Sequence, residues 1–131
     1  MIAIPVESDT MNTMSTKLFG NAKYFALVNP LTDSHTIVKN EGCGNGIKTA
    51  DFLLKKGAKS AVYSFLGDGP FYTMMNAGMS VYWLGKETLP LENAIHYAIS
   101  ESLVKVTPEN ADRYLDPGTN GGTCECGCTN E

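Results

Sequence analysis

Five short stretches of the chain are apolar enough to form β-strands, and polar or glycine-containing segments separate them. These stretches are residues 1–6, 23–29, 35–39, 60–65 and 79–83. Apolar residues dominate the first stretch, which is typical of a central, buried strand. A turn at 30–34 separates the second stretch from the third, so we predict that these two strands pair as a hairpin.

Other segments place apolar residues three or four positions apart, the spacing of an amphipathic helix. We predict helices over about 47–54, 71–76 and 91–103, with a further short helix between 107 and 115. Asn45, Asp68 and Thr88 are the predicted N-caps of the first three helices. Gly57 and Gly78 follow the first two helices, at a position where glycine is common.

The order of these elements predicts an α/β fold. A hairpin followed by strand–helix units gives a mixed sheet with helices on its faces. Right-handed crossovers give five strands in the order 3-2-1-4-5, with only strand 2 antiparallel. The segments after strands one, three, four and five then leave one edge of the sheet, where ligands of open α/β sheets bind. We therefore predict that residues 15–20, 42–46 and 67–70 converge at this edge.

Composition and charge restrict the functional class. The chain has 131 residues, of which 43% are hydrophobic and 18% charged, as expected of a soluble globular protein with one main core. The net charge of −4 and the lack of a basic cluster argue against a nucleic-acid partner. No apolar run approaches the roughly 20 residues that cross a bilayer. The N-terminus lacks the basic start of a signal peptide, so we expect a cytoplasmic protein without a membrane partner.

Residues 40–48 contain three glycines and one cysteine, and a predicted helix follows at once. Glycines allow consecutive N–H groups to point at one spot, and the helix N-terminus adds partial positive charge. Cys43 lies in this turn, where its thiolate form would be favoured. The stretch indicates a site for a soft, anionic, metal-containing ligand. The alternative, equally weighted, is a glycine-rich connection with a small buried cysteine.

The remaining cysteines, Cys124, Cys126 and Cys128, alternate near the C-terminus behind a linker at 116–122. Three closely spaced thiolates favour copper(I), zinc or an iron–sulfur cluster, and the alternative is an unligated or redox-labile tail. We expect no structural disulfide in a reducing cytoplasm. We also expect the last nine residues to be disordered without a ligand. The tail could fold back toward Cys43, although the sequence does not decide this.

The order and spacing of segments 2–6, 15–25, 42–50, 67–70 and 76–82, within residues 1–103, are informative together. They resemble the dinitrogenase iron–molybdenum cofactor biosynthesis family, the nitrogenase accessory-factor group. The resemblance implies a three-layer ribonuclease-H-like fold, which agrees with the strand order above. It also implies a cargo of iron and/or molybdenum, with copper as a further candidate, in a metal–sulfur cluster. Leu18 and Cys43 replace histidines that are common in the family.

Combined with the predicted convergence, the resemblance points to a set of candidate cofactor-binding residues. The set is Ser15, Phe19, Gly20, Gly42, Cys43, Gly44, Gly46, Gly67 and Gly69. The candidate metal ligands are Cys43, Cys124, Cys126 and Cys128. The alternative for the turn at 67–70 is a helix start without a ligand. His35 and His96 fit structural or exposed positions better than ligand positions.

No motif in the sequence indicates catalysis, and we expect the protein not to be an enzyme. The predicted strands lack the clustered carboxylates of a two-metal nuclease. A phosphate loop with lysine, a nucleophile elbow and a Cys–His pair are also missing.

Two functions follow from these observations. In the first, residues 1–103 form a domain that binds or carries a metal–sulfur cluster or its precursor, with a protein acceptor as a further partner. Residues 104–117 are then an extension, and 118–131 a glycine- and cysteine-rich tail. In the second, the same fold is a protein-interaction or regulatory module whose tail is a thiol switch.

Overall fold

The computed structural model describes residues 1–10, 12–32 and 34–115. The elements in chain order are β1 (Ile2–Val6), β2 (Tyr24–Asn29), β3 (Ser34–Lys39), α1 (Gly46–Lys55), β4 (Ser60–Tyr63), α2 (Asp68–Asn76), β5 (Ser80–Trp83), α3 (Leu91–Ile99), β6 (Val104–Val106) and α4 (Ala111–Tyr114). Each described helix is too short to cross a membrane. The predicted linker and the three C-terminal cysteines lie outside the described residues.

The strands form one mixed sheet in the order β3-β2-β1-β4-β5-β6. β2 runs antiparallel to both β1 and β3, whereas β4 and β5 continue parallel to β1. The predicted order of the first five strands is therefore confirmed. The prediction of only five strands is wrong, because β6 adds a second antiparallel strand beside β5. The ribonuclease-H-like label stays a prediction.

The sixth strand arises because the third helix ends earlier than its apolar spacing predicts. α3 ends at Ile99, and Glu101 takes a positive φ of 60° that a continuing helix does not allow. The β-branched Val104 and Val106 then pair with β5, and Val106 is fully buried. Tertiary burial of a three-residue strand has overridden the local helical pattern.

Two hydrophobic clusters occupy the two faces of the sheet, and successive residues of a strand alternate between them. Ala3 belongs to the first cluster and Ile4 to the second. Side chains of α1, α2 and α4 complete the first cluster, while α3 covers the second. This arrangement gives three layers, and both faces of the central strand β1 are buried.

The helix ends explain how the elements meet. Asn45 is the N-cap of α1, as predicted, and its side chain accepts a hydrogen bond from the Lys48 N–H. The predicted caps of the other two helices are wrong. Gly67 is the N-cap of α2, so that Asp68 lies inside its first turn. Pro90 rather than Thr88 precedes α3.

Residues 104–115, predicted as an extension, pack on the first hydrophobic cluster. Ala111 is buried in it, and Tyr114 and Leu115 lie against it. The Tyr114 ring contacts the Trp83 ring at a centroid distance of 5.0 Å. The Tyr63 hydroxyl donates to the Tyr114 carbonyl. These contacts place the last described residues beside the ends of β4 and β5.

Candidate functional site

The strands β1, β3, β4 and β5 all end at one edge of the sheet, which we call the carboxyl edge. Its strand-terminal residues are Val6, Lys39, Tyr63 and Trp83. The strand order reverses here between β1 and β4, because β1 connects to β2 on one side and pairs with β4 on the other. This is the position at which open α/β sheets place their ligands.

Glycines at the carboxyl edge bring three segments into direct backbone contact. A Cβ atom on Gly20 would lie 2.8 Å from the Gly46 Cα, and one on Gly46 would lie 2.9 Å from Pro70 Cγ. The Gly44 N–H also donates to the Gly20 carbonyl at 2.9 Å, with Gly44 at a positive φ of 97°. The three segments therefore converge at Gly20, Gly44–Gly46 and Pro70, as the strand order predicts.

Two buried polar side chains hold these segments in place. The Asn40 amide donates to the Ala22 carbonyl at 2.8 Å, and its oxygen accepts from the Gly42 N–H at 2.9 Å. The Asn40 amide also donates to the Thr49 hydroxyl at 3.0 Å, and that hydroxyl lies 3.0 Å from the Gly42 carbonyl. Since buried polar groups are costly to leave unpaired, this network fixes the loop geometry.

The first turns of α1 and α2 meet at the carboxyl edge. Ile47 side-chain carbons would lie 3.3 and 3.4 Å from a Cβ on Gly69, so the two helix starts are in contact. The N–H groups of Gly46, Ile47, Asp68 and Gly69 have no acceptor among the described residues. Both helix starts carry partial positive charge, and their sum favours an anion.

Side-chain ligands for a metal are scarce in the same region. Among the described residues, no group of three or more His, Cys, Asp or Glu side chains can hold a metal ion. Cys43 is half-buried in the loop that precedes α1. Its predicted role as a thiolate ligand stays a prediction, as does the expectation of a chain without disulfides.

Three large apolar side chains are exposed in segments that lead to the carboxyl edge. Leu18 is 44%, Ile47 49% and Phe65 40% exposed. Leu18 lies just before Gly20, and Phe65 follows β4. We call these three residues the edge apolar group. If these side chains form one patch, they favour contact with another molecule.

A sequence model of the family described as dinitrogenase iron-molybdenum cofactor matches residues 1–100. The chain belongs to this family. The match includes the carboxyl-edge segments and α1, α2 and α3. Among curated proteins, no sequence matches the chain significantly.

Solved structures similar to this family member share its fold. The apo form of the orange protein from Desulfovibrio gigas has a TM-score of 0.73 and 24% identity, and the match covers 80% of this chain and 91% of that one. A proposed NifB protein from Thermotoga has a TM-score of 0.67 and 26% identity, with 79% and 90% covered. A proposed dinitrogenase from Methanocaldococcus jannaschii has a TM-score of 0.61 and 16% identity, with 81% and 93% covered.

Two of the candidate binding residues in this family member are buried in the core. Ser15 is fully buried, and its N–H and Oγ both bond the Leu89 backbone, which precedes α3. Phe19 is 3% exposed, with its ring edge against Phe25 at 5.5 Å. Their side chains support the core, and their role in binding a ligand stays a prediction.

The candidate glycines divide into two groups. A Cβ on Gly42 would lie 2.5 Å from the Lys48 carbonyl carbon, so Gly42 serves the close packing of its loop on α1, as Gly20 does against Gly46. Gly67 and Gly69 lie at the start of α2, and Gly67 has open space around it. Among the described residues, the N–H groups of Gly20, Gly46, Gly67 and Gly69 have no acceptor, whereas those of Gly42 and Gly44 donate to Asn40 and Gly20.

Sequence reasoning missed several residues that shape this site. Asn40 and Thr49 bond to partners up to 29 residues away, and a local pattern does not show such partners. The N–H groups of Ile47 and Asp68 were missed because their side chains indicate other roles. Their positions in the first turns of α1 and α2 were the available signal.

Proposed function

We propose that the protein binds and carries an anionic metal–sulfur cluster, or its precursor, at the carboxyl edge, without catalysing a reaction. The observation that carries the proposal is the contact between two helix starts. Together they present the N–H groups of Gly46, Ile47, Asp68 and Gly69, which have no acceptor among the described residues. Sulfide and thiomolybdate faces are anionic, so these amides would donate charge-assisted hydrogen bonds to them.

Family membership supports this cargo. The family is described by the iron–molybdenum cofactor of dinitrogenase, and the similar structures include the orange protein and a proposed NifB protein. Iron and molybdenum are therefore the first candidates, with copper as a further one because the predicted ligands are thiolates. We extend the proposal to a ribonuclease-H-like fold, a cytoplasmic location and a protein that accepts the cluster.

Typical free energies of hydrogen bonding and association indicate how strongly the amides would hold the cluster. A hydrogen bond to a charged group contributes about 1.5–3 kcal/mol. Four such bonds can offset much of the entropy lost on association, which is about 4–15 kcal/mol. Amides alone would therefore hold the cluster weakly. Thiolates from Cys43, Cys124, Cys126 and Cys128 would supply the metal bonds that amides cannot form.

Asp68 allows a direct test of the amide contribution. It is the first residue of α2, where proline is tolerated because the N–H has no helical partner. Gly67 before it is extended, with a ψ of 174°, as a residue before proline requires. Asp68→Pro thus removes the N–H and the carboxylate, whereas Asp68→Asn removes only the carboxylate.

The variants are titrated without oxygen against tetrathiomolybdate, and visible absorption and metal analysis give the affinity. We expect Asp68→Asn to bind about two- to fivefold more tightly than the unmodified chain, because a negative charge is removed. We expect Asp68→Pro to bind at least about tenfold more weakly than Asp68→Asn, because one donor is lost. Equal affinities of the two variants would contradict binding through these amides.

A second experiment tests the cargo itself. The reduced full chain is reconstituted without oxygen using sulfide together with iron, molybdate or copper in separate reactions. We expect a coloured protein with bound metal and sulfide in at least one reaction. A colourless, metal-free product in all three would overturn the proposed function.

The edge apolar group favours a second candidate, a protein-interaction or regulatory module with a thiol switch. Leu18, Ile47 and Phe65 are exposed, and Cys43 lies in the loop just before Ile47. Pull-downs with the full chain and with a Leu18→Ser, Phe65→Ser variant test this function. If the variant loses its partners while both proteins bind the same amount of metal in reconstitution, the second function is favoured.

A further inference from the structure

The Ser64 hydroxyl is a buried polar group without a partner. Ser64 follows Tyr63, the last residue of β4, and is 3% exposed. Its Oγ is enclosed by protein and has no hydrogen-bond partner among the described residues. In the described part of the chain, no other buried side-chain nitrogen or oxygen is left in this state. Because an enclosed hydroxyl has lost its bonds to water, an unpaired one destabilises the folded chain and is rarely retained without a role.

Ser64 lies where the strand order reverses and where β1 and β4 part. The Met1 carbonyl accepts from the Lys59 N–H at 2.8 Å, just before β4 begins. Pro5 directs its carbonyl to the same side of β1, because alternate residues of a strand share a side. That carbonyl accepts from the Thr16 N–H at 3.0 Å and not from β4. The ladder between the two strands therefore stops before Ser64, at the split where open α/β sheets place their ligands.

The backbone at Ser64 is fixed from the side of β5. The Trp83 indole N–H donates to the Ser64 carbonyl at 3.2 Å, and the Leu84 N–H donates to the Tyr63 carbonyl at 2.7 Å. A serine side chain has three staggered χ1 rotamers. A change of rotamer redirects the hydroxyl without breaking either backbone bond. The hydroxyl is thus the movable group on a fixed backbone.

The same loop leads directly to the amides of the proposed site. Gly67, the N-cap of α2, follows within the loop, and a Cβ there would meet no atom within 4 Å. Asp68 is four residues beyond Ser64, so the two residues lie at most about 14 Å apart. The Asp68 N–H has no acceptor among the described residues. A hydroxyl donor and an amide donor therefore lie at the two ends of one short loop with open space at its far end.

We propose that Ser64 is a binding residue of the carboxyl edge, and that its hydroxyl donates a hydrogen bond to a sulfido or oxo group of the bound metal–sulfur cargo. This inference rests on the function proposed above. In the free chain the hydroxyl is enclosed and unpaired. When the cargo reaches the helix starts, a change of the Ser64 χ1 rotamer turns the hydroxyl toward it, and the anionic sulfur or oxygen becomes the missing acceptor. The hydroxyl lowers the stability of the free chain and raises the affinity for the cargo.

The stability of the free chain tests the first half of this inference. Ser64→Ala removes the unpaired hydroxyl, so we expect its urea midpoint to be no lower than that of the unmodified chain. Ser15→Ala is the contrasting variant, because the buried Ser15 Oγ accepts from the Leu89 N–H at 2.9 Å. Its urea midpoint should fall, since that N–H loses its acceptor. A similar fall for Ser64→Ala would show that the hydroxyl is already paired in the free chain and would overturn the inference.

The affinity for the cargo tests the second half. The full chain and its variants are titrated without oxygen against tetrathiomolybdate, and visible absorption gives the affinity. We expect Ser64→Ala to bind at least about tenfold more weakly than the unmodified chain, because a donor to a charged group is lost. Ser60→Ala is the matched control, since Ser60 begins the same strand at the opposite edge of the sheet. Its affinity should be unchanged.

The results separate this inference from the proposed function. Equal affinities of Ser64→Ala and the unmodified chain overturn the role of Ser64 and leave the function standing. An equal loss of affinity in Ser60→Ala also overturns that role, because the loss then does not depend on the carboxyl edge. Binding by neither the unmodified chain nor any variant overturns the function and this inference together.

Discussion

Two buried polar residues, Asn40 and Thr49, give the carboxyl edge its shape. Asn40 is 2% exposed and bonds the backbone on both sides of the contact between loops. Thr49 is fully buried and bonds the Gly20 and Gly42 carbonyls from within α1. The Asn40 amide and the Thr49 hydroxyl donate hydrogen bonds to loop carbonyls that have no partner within a helix or strand. The loop that precedes the helix start is therefore rigid, and its amides are held in place before a ligand arrives.

Gly42 provides a stability prediction at the same scale. A methyl group there would lie 2.5 Å from both the Lys48 carbonyl carbon and the Thr49 nitrogen. These are backbone atoms of α1, which cannot move without disturbing the Asn40 network. We expect Gly42→Ala to lower the free energy of unfolding by about 2 kcal/mol or more. Urea unfolding monitored by circular dichroism measures the change.

Gly67→Ala is the matched control for this substitution. Gly67 has a φ of −85°, and a Cβ there would meet no atom within 4 Å. We expect a loss of no more than about 1 kcal/mol, because alanine is a weaker N-cap than glycine. Similar losses for the two variants would show that steric contact at Gly42 does not determine stability.

The pairing of α1 with α2 is the element-level feature that matters for function. Both helices follow strands that end at the carboxyl edge, so their N-termini lie at that edge. Gly46 and Gly69 permit the close contact, since side chains there would meet Pro70 and Ile47. In the described part of the chain, one helix start would offer two amides without an acceptor, whereas the pair offers four on neighbouring turns.

The packing of α4 on β5 gives a prediction with a spectroscopic readout. Trp83 is the only tryptophan of the sequence, and the Tyr114 ring covers it at 5.0 Å. We expect Tyr114→Ala to shift the Trp83 emission to longer wavelength, because water reaches the indole. It should also lower the free energy of unfolding by about 1–3 kcal/mol, since a partly buried ring is lost. Fluorescence spectra and urea unfolding measure both effects.

Tyr97→Ala controls for the loss of a tyrosine elsewhere. Tyr97 is 41% exposed on α3, which covers the opposite face of the sheet. Its removal should leave the Trp83 emission unchanged. An equal shift in the two variants would mean that α4 does not protect Trp83.

All strands of the described chain belong to one sheet, which has a hydrophobic cluster on each face. β1 contributes to both clusters, and β6 and α4 pack on the first of them. Unfolding of one cluster would therefore expose the shared sheet to water and destabilise the other. Residues 104–115 belong to this unit through the buried Val106 and Ala111.

We therefore expect cooperative unfolding of the whole described chain. In urea with reductant present, the Trp83 fluorescence and far-ultraviolet circular dichroism transitions should coincide. Trp83 reports on the part of the sheet covered by α4, whereas circular dichroism reports on all elements. A fluorescence transition at lower urea concentration would show that residues 104–115 unfold separately.

Local pattern was sufficient for much of the fold, because strand burial and helix amphipathicity leave periodic traces in the sequence. The order of the first five strands, the Asn45 cap and the meeting of three glycine segments could all be predicted. The helix starts that the sequence assigned to Asp68 and Thr88 could not be predicted correctly, because packing places each helix start at a nearby backbone position. β6 was missed because its three residues form a strand only when they are placed beside β5.

The sequence by itself determined the family, the layer order and the edge at which a ligand would lie, since chain connectivity and handedness leave few alternatives. Only the tertiary structure decided which residues line that edge. Ser15 became a core support because Leu89, far along the chain, bonds to it, and Phe19 because its ring packs against Phe25. The four amides without an acceptor among the described residues belong to two helices that are separate in sequence, and the close contact that glycine permits is what brings them together.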